Sequence, residues 1–278
     1  MPGRYTAEVS ETADALHLPD GVSLVRAPNA GPMTLDGTNS WVLRAPGATG
    51  SIVIDPGPSD AAHLDRLAAG GVELVLITHR HPDHTEAVDA FAALSGAPVR
   101  AIDTAWCRDA AALVDGEHLR AGGFELEVLA TPGHTSDSAC FALMPAPTDG
   151  AAGDSGTAVA VFTGDTVLGR GTTIIAHPDG ALGPYLASLD RLRRIGDAGG
   201  VLVLPGHGPV LPDLGAICDA YAAHRRERLD QVRDALVRLG ADATTEAVTD
   251  DVYHDIDPSV RFAAEASVRA QLEYLRRG

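Results

Sequence analysis

The chain has 278 residues, enough for one large domain or for one domain plus a small appendage, and a formal net charge of −17. Its 45% hydrophobic and 4% aromatic content must build a core mostly from Ala, Val, Leu and Ile, and its apolar runs are too short to span a bilayer. Met1–Glu8 has no basic region leading into an apolar stretch, so no secretory signal is expected, and three scattered cysteines (Cys107, Cys140, Cys218) argue for a reducing, cytoplasmic setting without disulfides.

In chain order, residues 22–25, 40–43 and 51–54 read as short strands separated by Gly/Pro/Asn turns, with a polar, Gly-rich loop at 28–39. Residues 60–69 have helical spacing, with Leu64, Leu67 and Ala68 on one face. A buried strand at 72–77 runs directly into a histidine cluster. Residues 85–94 follow as a helix whose buried stripe is Ala87, Val88, Phe91 and Leu94. Strands are expected at 124–129, 139–144, 158–162 and 201–204, and a helix at 184–195. The Pro/Gly-rich stretch 145–157 reads as a surface extension of a hairpin. Past Leu211 the pattern changes: helices at 217–239, 244–252 and 258–275, with no strand among them. Strands with interleaved helices and then a helical tail imply an α/β (α+β) architecture with a helical appendage, divided as 1–212 and 213–278.

The chemistry is concentrated in four short motifs. They are His79-Arg80-His81-Pro82-Asp83-His84, Thr131-Pro132-Gly133-His134, Thr163-Gly164-Asp165-Thr166 and Pro205-Gly206-His207-Gly208. Each lies in a turn just after a strand-like apolar run. On an extended segment, residues two apart point the same way, so His79 and His81 can grip one ion, which His134 completes. Asp83 and His84 face a second ion, completed by His207, and Asp165 can place one oxygen on each. Histidine and carboxylate donors suit zinc, with manganese or iron as alternatives. Two such ions with an open position between them would hold a hydroxide as nucleophile, with Asp83 or Asp165 managing its proton. Asp55 and Thr78 end strands beside this cluster and are expected to orient the histidines. Met33, Thr34, Asn39, Thr172 and His177 are candidate pocket residues. His17, His63, His118, His224 and His254 read as ordinary core or surface histidines.

Over roughly residues 20–210 these motifs resemble the metallo-β-lactamase superfamily of metal-dependent hydrolases. The resemblance implies an αββα sandwich with the site at one edge. It matches Asp55 to the family's first conserved aspartate, and His79, His81, Asp83, His84, His134, Asp165 and His207 to its ligands. Within the superfamily the chain looks most like the β-lactamase-like protein 2 branch. The similarity lies in the loop Gly31–Asn39, in Gly169-Arg170-Gly171-Thr172-Thr173 and in the turn Gly206–Val210. The tail resembles that branch's small winged-helix-like C-terminal domain, although the chain stops where the wing hairpin should follow.

The substrate is less sharply specified. Asp165 stands where the commonest zinc β-lactamases carry cysteine, which argues against a dedicated lactamase and leaves weak β-lactamase activity open. The chain holds no lysine, which weakens a glyoxalase-II-like thioesterase reading for glutathione but not for other esters, thioesters or amides. Single-strand endoribonucleases occur in the branch, so single-stranded RNA is the alternative to a small-molecule substrate. Residues 219–278 carry 9 Arg against 12 Asp and Glu, a net of −3, which supplies no basic surplus for phosphates. A mononuclear iron dioxygenase would not need His84 and His207. The helix at 217–239 is also a candidate partner-binding or homo-oligomer surface.

Overall fold

The computed structural model describes residues 16–145, 157–255 and 257–277. Met1–Glu8, where no secretory signal is expected, and, but for its two ends, the segment expected as a hairpin extension (145–157) lie outside the described residues. Two five-stranded mixed sheets form the centre. The first runs in the order β1 (Val22–Arg26), β2 (Asn39–Leu43), β3 (Ser51–Ile54), β4 (Val72–Leu76), β5 (Val99–Arg100). Its first three strands are antiparallel and its last two join in parallel. The second runs β10 (Leu202–Pro205), β9 (Ala160–Gly164), β8 (Ala139–Leu143), β7 (Phe124–Ala130), β6 (His118–Ala121), with only β10 and β9 parallel.

Strand periodicity places the layers. Successive side chains point to opposite faces, and Ile52 and Ile54 enter the apolar cluster between the sheets while Val53 joins a second cluster outside. Phe141 and Leu143 likewise point inward, and Cys140 and Ala142 outward. Both faces are covered, so the strands read as continuous apolar runs rather than alternating ones. Helices α1 (Ala61–Ala68) and α3 (Val88–Ser95) cover the first sheet through Leu64, Leu67, Val88 and Phe91. Helices α4 (Leu182–Ile195) and α5 (Leu214–Leu239) cover the second through Tyr185, Leu189, Leu192, Cys218 and Tyr221. The result is a helix–sheet–sheet–helix sandwich. Two shorter helical elements, α6 (Thr245–Val252) and α7 (Arg261–Arg277), form a further cluster with α5 around Val232, Val248, Val268 and Leu272. No strand occurs among the described residues beyond β10, and no described helix is long and apolar enough to cross a membrane.

Two expectations need correction. The helix expected at 85–94 is two: α2 (Pro82–Thr85) and α3, because the Ala87 N–H leaves the helical pattern and donates to Gly57 O at 3.1 Å. Leu94, placed in the buried stripe, is 50% exposed, whereas Ala87, Val88 and Phe91 are buried. The edge strands β5 and β6 carry too short or too polar a pattern to stand out, with two residues in one and His118-Leu119-Arg120-Ala121 in the other.

Candidate metal centre

Every candidate ligand lies just beyond the C-terminal end of a strand. His79, His81, Asp83 and His84 follow β4, His134 follows β7, Asp165 directly follows β9, and His207 follows β10. The two sheets therefore deliver their ends to one edge of the sandwich. Close approach there depends on glycine. A Cβ on Gly206 would sit 2.5 Å from Asp165 Oδ1 and 2.9 Å from His84 Cε1. Gly164, at φ 47°, would drive a Cβ to within 2.7 Å of Thr78.

The donors converge in two groups. His79 Nε2 and His134 Nε2 each lie 3.0 Å from His81 Nδ1. Nitrogens bound tetrahedrally to one zinc sit roughly 3.3 Å apart, so this trio is close to the spacing a single ion requires. In the second group His207 Nε2 lies 3.0 Å from Asp83 Oδ2 and 3.2 Å from His84 Nε2. Asp165 stands between them, with Oδ1 3.5 Å from His84 Nε2, and Oδ2 3.4 Å from His207 Nε2 and 3.8 Å from His134 Nε2. His79, His84 and Asp165 also make a set of donor atoms lying within 4.8 Å of one another. Asp165 Oδ1 is buried without a hydrogen-bond partner. An unpaired buried oxygen is unfavourable by about 1–3 kcal/mol or more, and a cation between the two groups would satisfy it.

The histidines are oriented from behind. Thr78 donates its N–H and hydroxyl to Asp55 at 2.8 and 2.7 Å, and its hydroxyl lies 3.0 Å from His79 Nδ1. Asp55 Oδ2 accepts from His84 Nδ1 at 2.7 Å, leaving Nε2 to face the centre. Asp55 holds φ 55°, an unusual value for a non-glycine residue, fixed by these contacts. His134 Nδ1 donates to Ile174 O at 2.7 Å, and His207 Nδ1 to Gly37 O at 3.3 Å.

Charge follows burial. Burial, then the neighbouring His84 charge, pushes His79 well below the ordinary imidazole range, and burial also lowers His134. Burial and His134 bring His81 down to about 4. All three are therefore held towards the neutral form, the form in which an imidazole can bind a metal ion. Burial also opposes protonation of His84 and His207, but the carboxylates of Asp55, Asp165 and Asp83 outweigh it for His84. For His207 the Asp165 and Asp83 carboxylates outweigh it and raise the ring to about 9. Asp165 is correspondingly held ionised: its burial is outweighed by His207 and His84. A cation would replace the protons that the second group otherwise holds.

A cavity of about 320 Å³ is lined by four of the donors, His81, Asp83, His134 and Asp165. Met33 and Thr172 line it, but Thr34, Asn39 and His177 do not. The Thr34 hydroxyl instead donates to Asn29 O. Buried Asn39 donates to Pro205 O and Gly208 O at 3.0 and 2.9 Å, bracing the His207 turn to β2. His177 follows Ala176, which is the lining residue of that turn. Sequence patterning missed Leu35, Leu168, Arg170, Ile174, Phe262, Ala263 and Ala266 as lining residues. Phe262 carried a usable signal: it is an aromatic residue out of phase with the buried stripe Ala264, Val268 and Leu272 of its helix.

The fold and donor set define a class: αββα sandwiches with a His/Asp centre at one edge that fits metal ions. Residues 33–207 match the Metallo-beta-lactamase superfamily, and the chain belongs to that superfamily. It is 30% identical to the Beta-lactamase-like protein 2 homolog of Caenorhabditis elegans, over 93% of this chain and 85% of that protein. It is 31% identical to an atrochrysone carboxyl ACP thioesterase of Paecilomyces divaricatus, over 92% of this chain and 79% of that protein. Other fungal relatives, lactamase-like proteins and thioesterases, are matched over only 60% to 65% of their own length. The crystal structure of a metallo-beta-lactamase family protein from Thermus thermophilus superposes with a TM-score of 0.73 at 23% identity, covering 94% of this chain and 95% of that one.

Proposed function

We propose that the chain is a two-metal hydrolase that cleaves an acyl thioester or ester with water. The observation that carries this is the paired donor set closed by the orphaned Asp165 Oδ1. His79, His81 and His134 would hold one ion, Asp83, His84 and His207 the other, and Asp165 would join them. Zinc fits these nitrogen and carboxylate donors. When bound, two such ions lower the pKa of water to about 7 and polarise a carbonyl.

The chain's own residues do the rest. Asp55, Thr78, and the Ile174 and Gly37 carbonyls hold the ligand rings in one tautomer and orientation. Asp83 and Asp165 both reach the cavity, and either carboxylate is placed to pass a proton from the attacking water to the leaving group. The water oxygen bonds the acyl carbon, the carbon–sulfur or carbon–oxygen bond breaks, and the thiol or alcohol leaves protonated. Neither buried cysteine serves as nucleophile. Burial raises the Cys140 thiol to about 11 and the Cys218 thiol further still.

Cavity chemistry supports a carbonyl substrate over a phosphodiester. Arg170 is the cation among its lining residues and is already paired with Asp36 at 3.3 Å. A relative matched over 79% of its own length is named a thioesterase. Metal content by mass spectrometry, with a panel of acyl thioester, simple ester, nitrocefin and single-stranded RNA, tests this reading. The expected result is two zinc ions per chain with thioester or ester turnover. Asp83→Ala should lose one ion and more than about 100-fold of activity, since even groups behind the ligands cost 10- to 100-fold. RNA cleavage with intact esters, or one iron with oxygen consumption, would overturn it.

A further inference from the structure

The tail is expected from its sequence to be an appendage, yet α7 forms part of the cavity wall beside the metal centre. The helix has two apolar faces. Ala264, Val268 and Leu272, spaced four apart, are buried on one face, Val268 and Leu272 in the cluster shared with α5 and α6. Phe262, Ala263 and Ala266 lie on the opposite face and line the cavity. Phe262 is 58% exposed, and Met33, also a lining residue, is 46% exposed. The chain's other phenylalanines (Phe91, Phe124, Phe141, Phe162) all pack into the apolar clusters. An aromatic ring and a methionine left bare beside a reactive centre fit an apolar part of the substrate. The alanines leave the space in which it would lie.

We infer that α7 is the specificity-determining wall of the substrate cleft: a medium-length saturated acyl chain lies along Phe262, Ala263 and Ala266, with its thioester carbonyl at the His/Asp end. This inference rests on the hydrolase reading above. Lengthening the acyl group adds buried methylenes until the wall is filled, and each fully buried methylene is worth about fourfold in kcat/KM. Filling the alanine positions removes that gain.

The test uses the full-length, zinc-loaded protein and acetyl and octanoyl N-acetylcysteamine thioesters. Octanoyl turnover should exceed acetyl turnover in kcat/KM by at least about tenfold. Ala266→Phe, and independently Ala263→Leu, should lower that octanoyl-to-acetyl ratio at least about fivefold. Octanoate binding, measured by calorimetry on the same proteins, reads the wall without turnover. Wild-type binding weakened in either variant supports the inference even if no thioester is cleaved, in which case the hydrolase reading fails alone. Thioester turnover without chain-length preference and without octanoate binding overturns the inference and leaves the hydrolase reading standing. Neither turnover nor binding overturns both. A ratio unchanged in both variants, with each folded by circular dichroism, also overturns it.

Discussion

Among the described histidines outside the metal cluster, His63 alone is fully enclosed. Its Nε2 lies 3.0 Å from Ser40 Oγ and its Nδ1 3.4 Å from Arg66 Nη2, and the Asp60 carboxylate and Pro56 carbonyl that favour a proton on the ring are outweighed. Burial, then the Arg66 charge, lowers its pKa from 6.5 to about 4. The folded state therefore binds this proton more weakly than the unfolded state does. Its contribution to stability is complete above pH 6.5 and is lost as pH falls toward about 4. Denaturant unfolding of wild type and His63→Gln at pH 6.5 and 5 should show the wild-type advantage shrinking by about 2 kcal/mol across that interval. An advantage constant with pH would show that the ring does not titrate in this way. At this scale the motifs were the most legible part of the chain. The spacing His79-x-His81-x-Asp83-His84 carries its chemistry within six consecutive positions, and the structure brings those donors to one centre with His134, Asp165 and His207. Asn39 was not legible in the same way, because a polar residue in a loop-to-strand turn looks the same whether it faces a substrate or braces a neighbouring turn. Only the partner, 166 residues away at Pro205, decides.

Elements meet at the loop that follows β9. Three residues of the helices covering the second sheet grip it. Tyr185 donates its hydroxyl to Thr166 O at 2.7 Å, and Tyr221 donates to Gly171 O at 2.9 Å and accepts from Leu168 N–H at 3.0 Å. Arg225 is buried, donates from Nη2 to Thr173 O, and lies 5.3 Å over the Tyr185 ring. The same loop fixes His134, whose Nδ1 meets Ile174 O and lies 3.1 Å from the Thr173 hydroxyl. Arg225 is thus a positioning residue two contacts from His134, a candidate metal ligand. Arg225→Met keeps the apolar stem and removes the donor. It should lower stability by about 1–3 kcal/mol and weaken zinc at the His79, His81 and His134 group by about tenfold. Thermal unfolding and chelator competition read the two effects separately, and Arg225→Lys should recover part of both. Destabilisation with unaltered zinc affinity would reduce Arg225 to a packing residue. Helical periodicity marked α5 from its apolar and charged spacing, but an arginine in such a helix reads as solvated. Its burial depends on a loop some 50 residues earlier, which no local pattern encodes.

The whole molecule raises the question of how separable its two parts are. The change of pattern near Leu211, from strands to helices, is what suggested a division at 212/213. Packing crosses that point without a break. Leu214, Cys218, Tyr221 and Leu229 of α5, with Ala270 of α7, belong to the same apolar cluster as Cys140, Ala142, Val161 and Val203 of the second sheet. The α5 helix is the outer layer that this sheet needs, because a strand with both faces apolar is not stable with one of them in water. Sequence patterning shows where helices begin but not which layer they complete, so an all-helical tail looks like an appendage until its contacts are known. Unfolding should then be one cooperative event, seen in calorimetry as a single transition with equal calorimetric and van't Hoff enthalpies. A chain cut after Pro212 would bare the outer face of β7–β10 and α4, and should be recovered as an aggregate rather than as a folded sandwich. Two resolved transitions, or a soluble 1–212 fragment with native-like near-ultraviolet dichroism, would show instead that the sandwich closes without α5 and that the shared cluster is only an interface between independent domains.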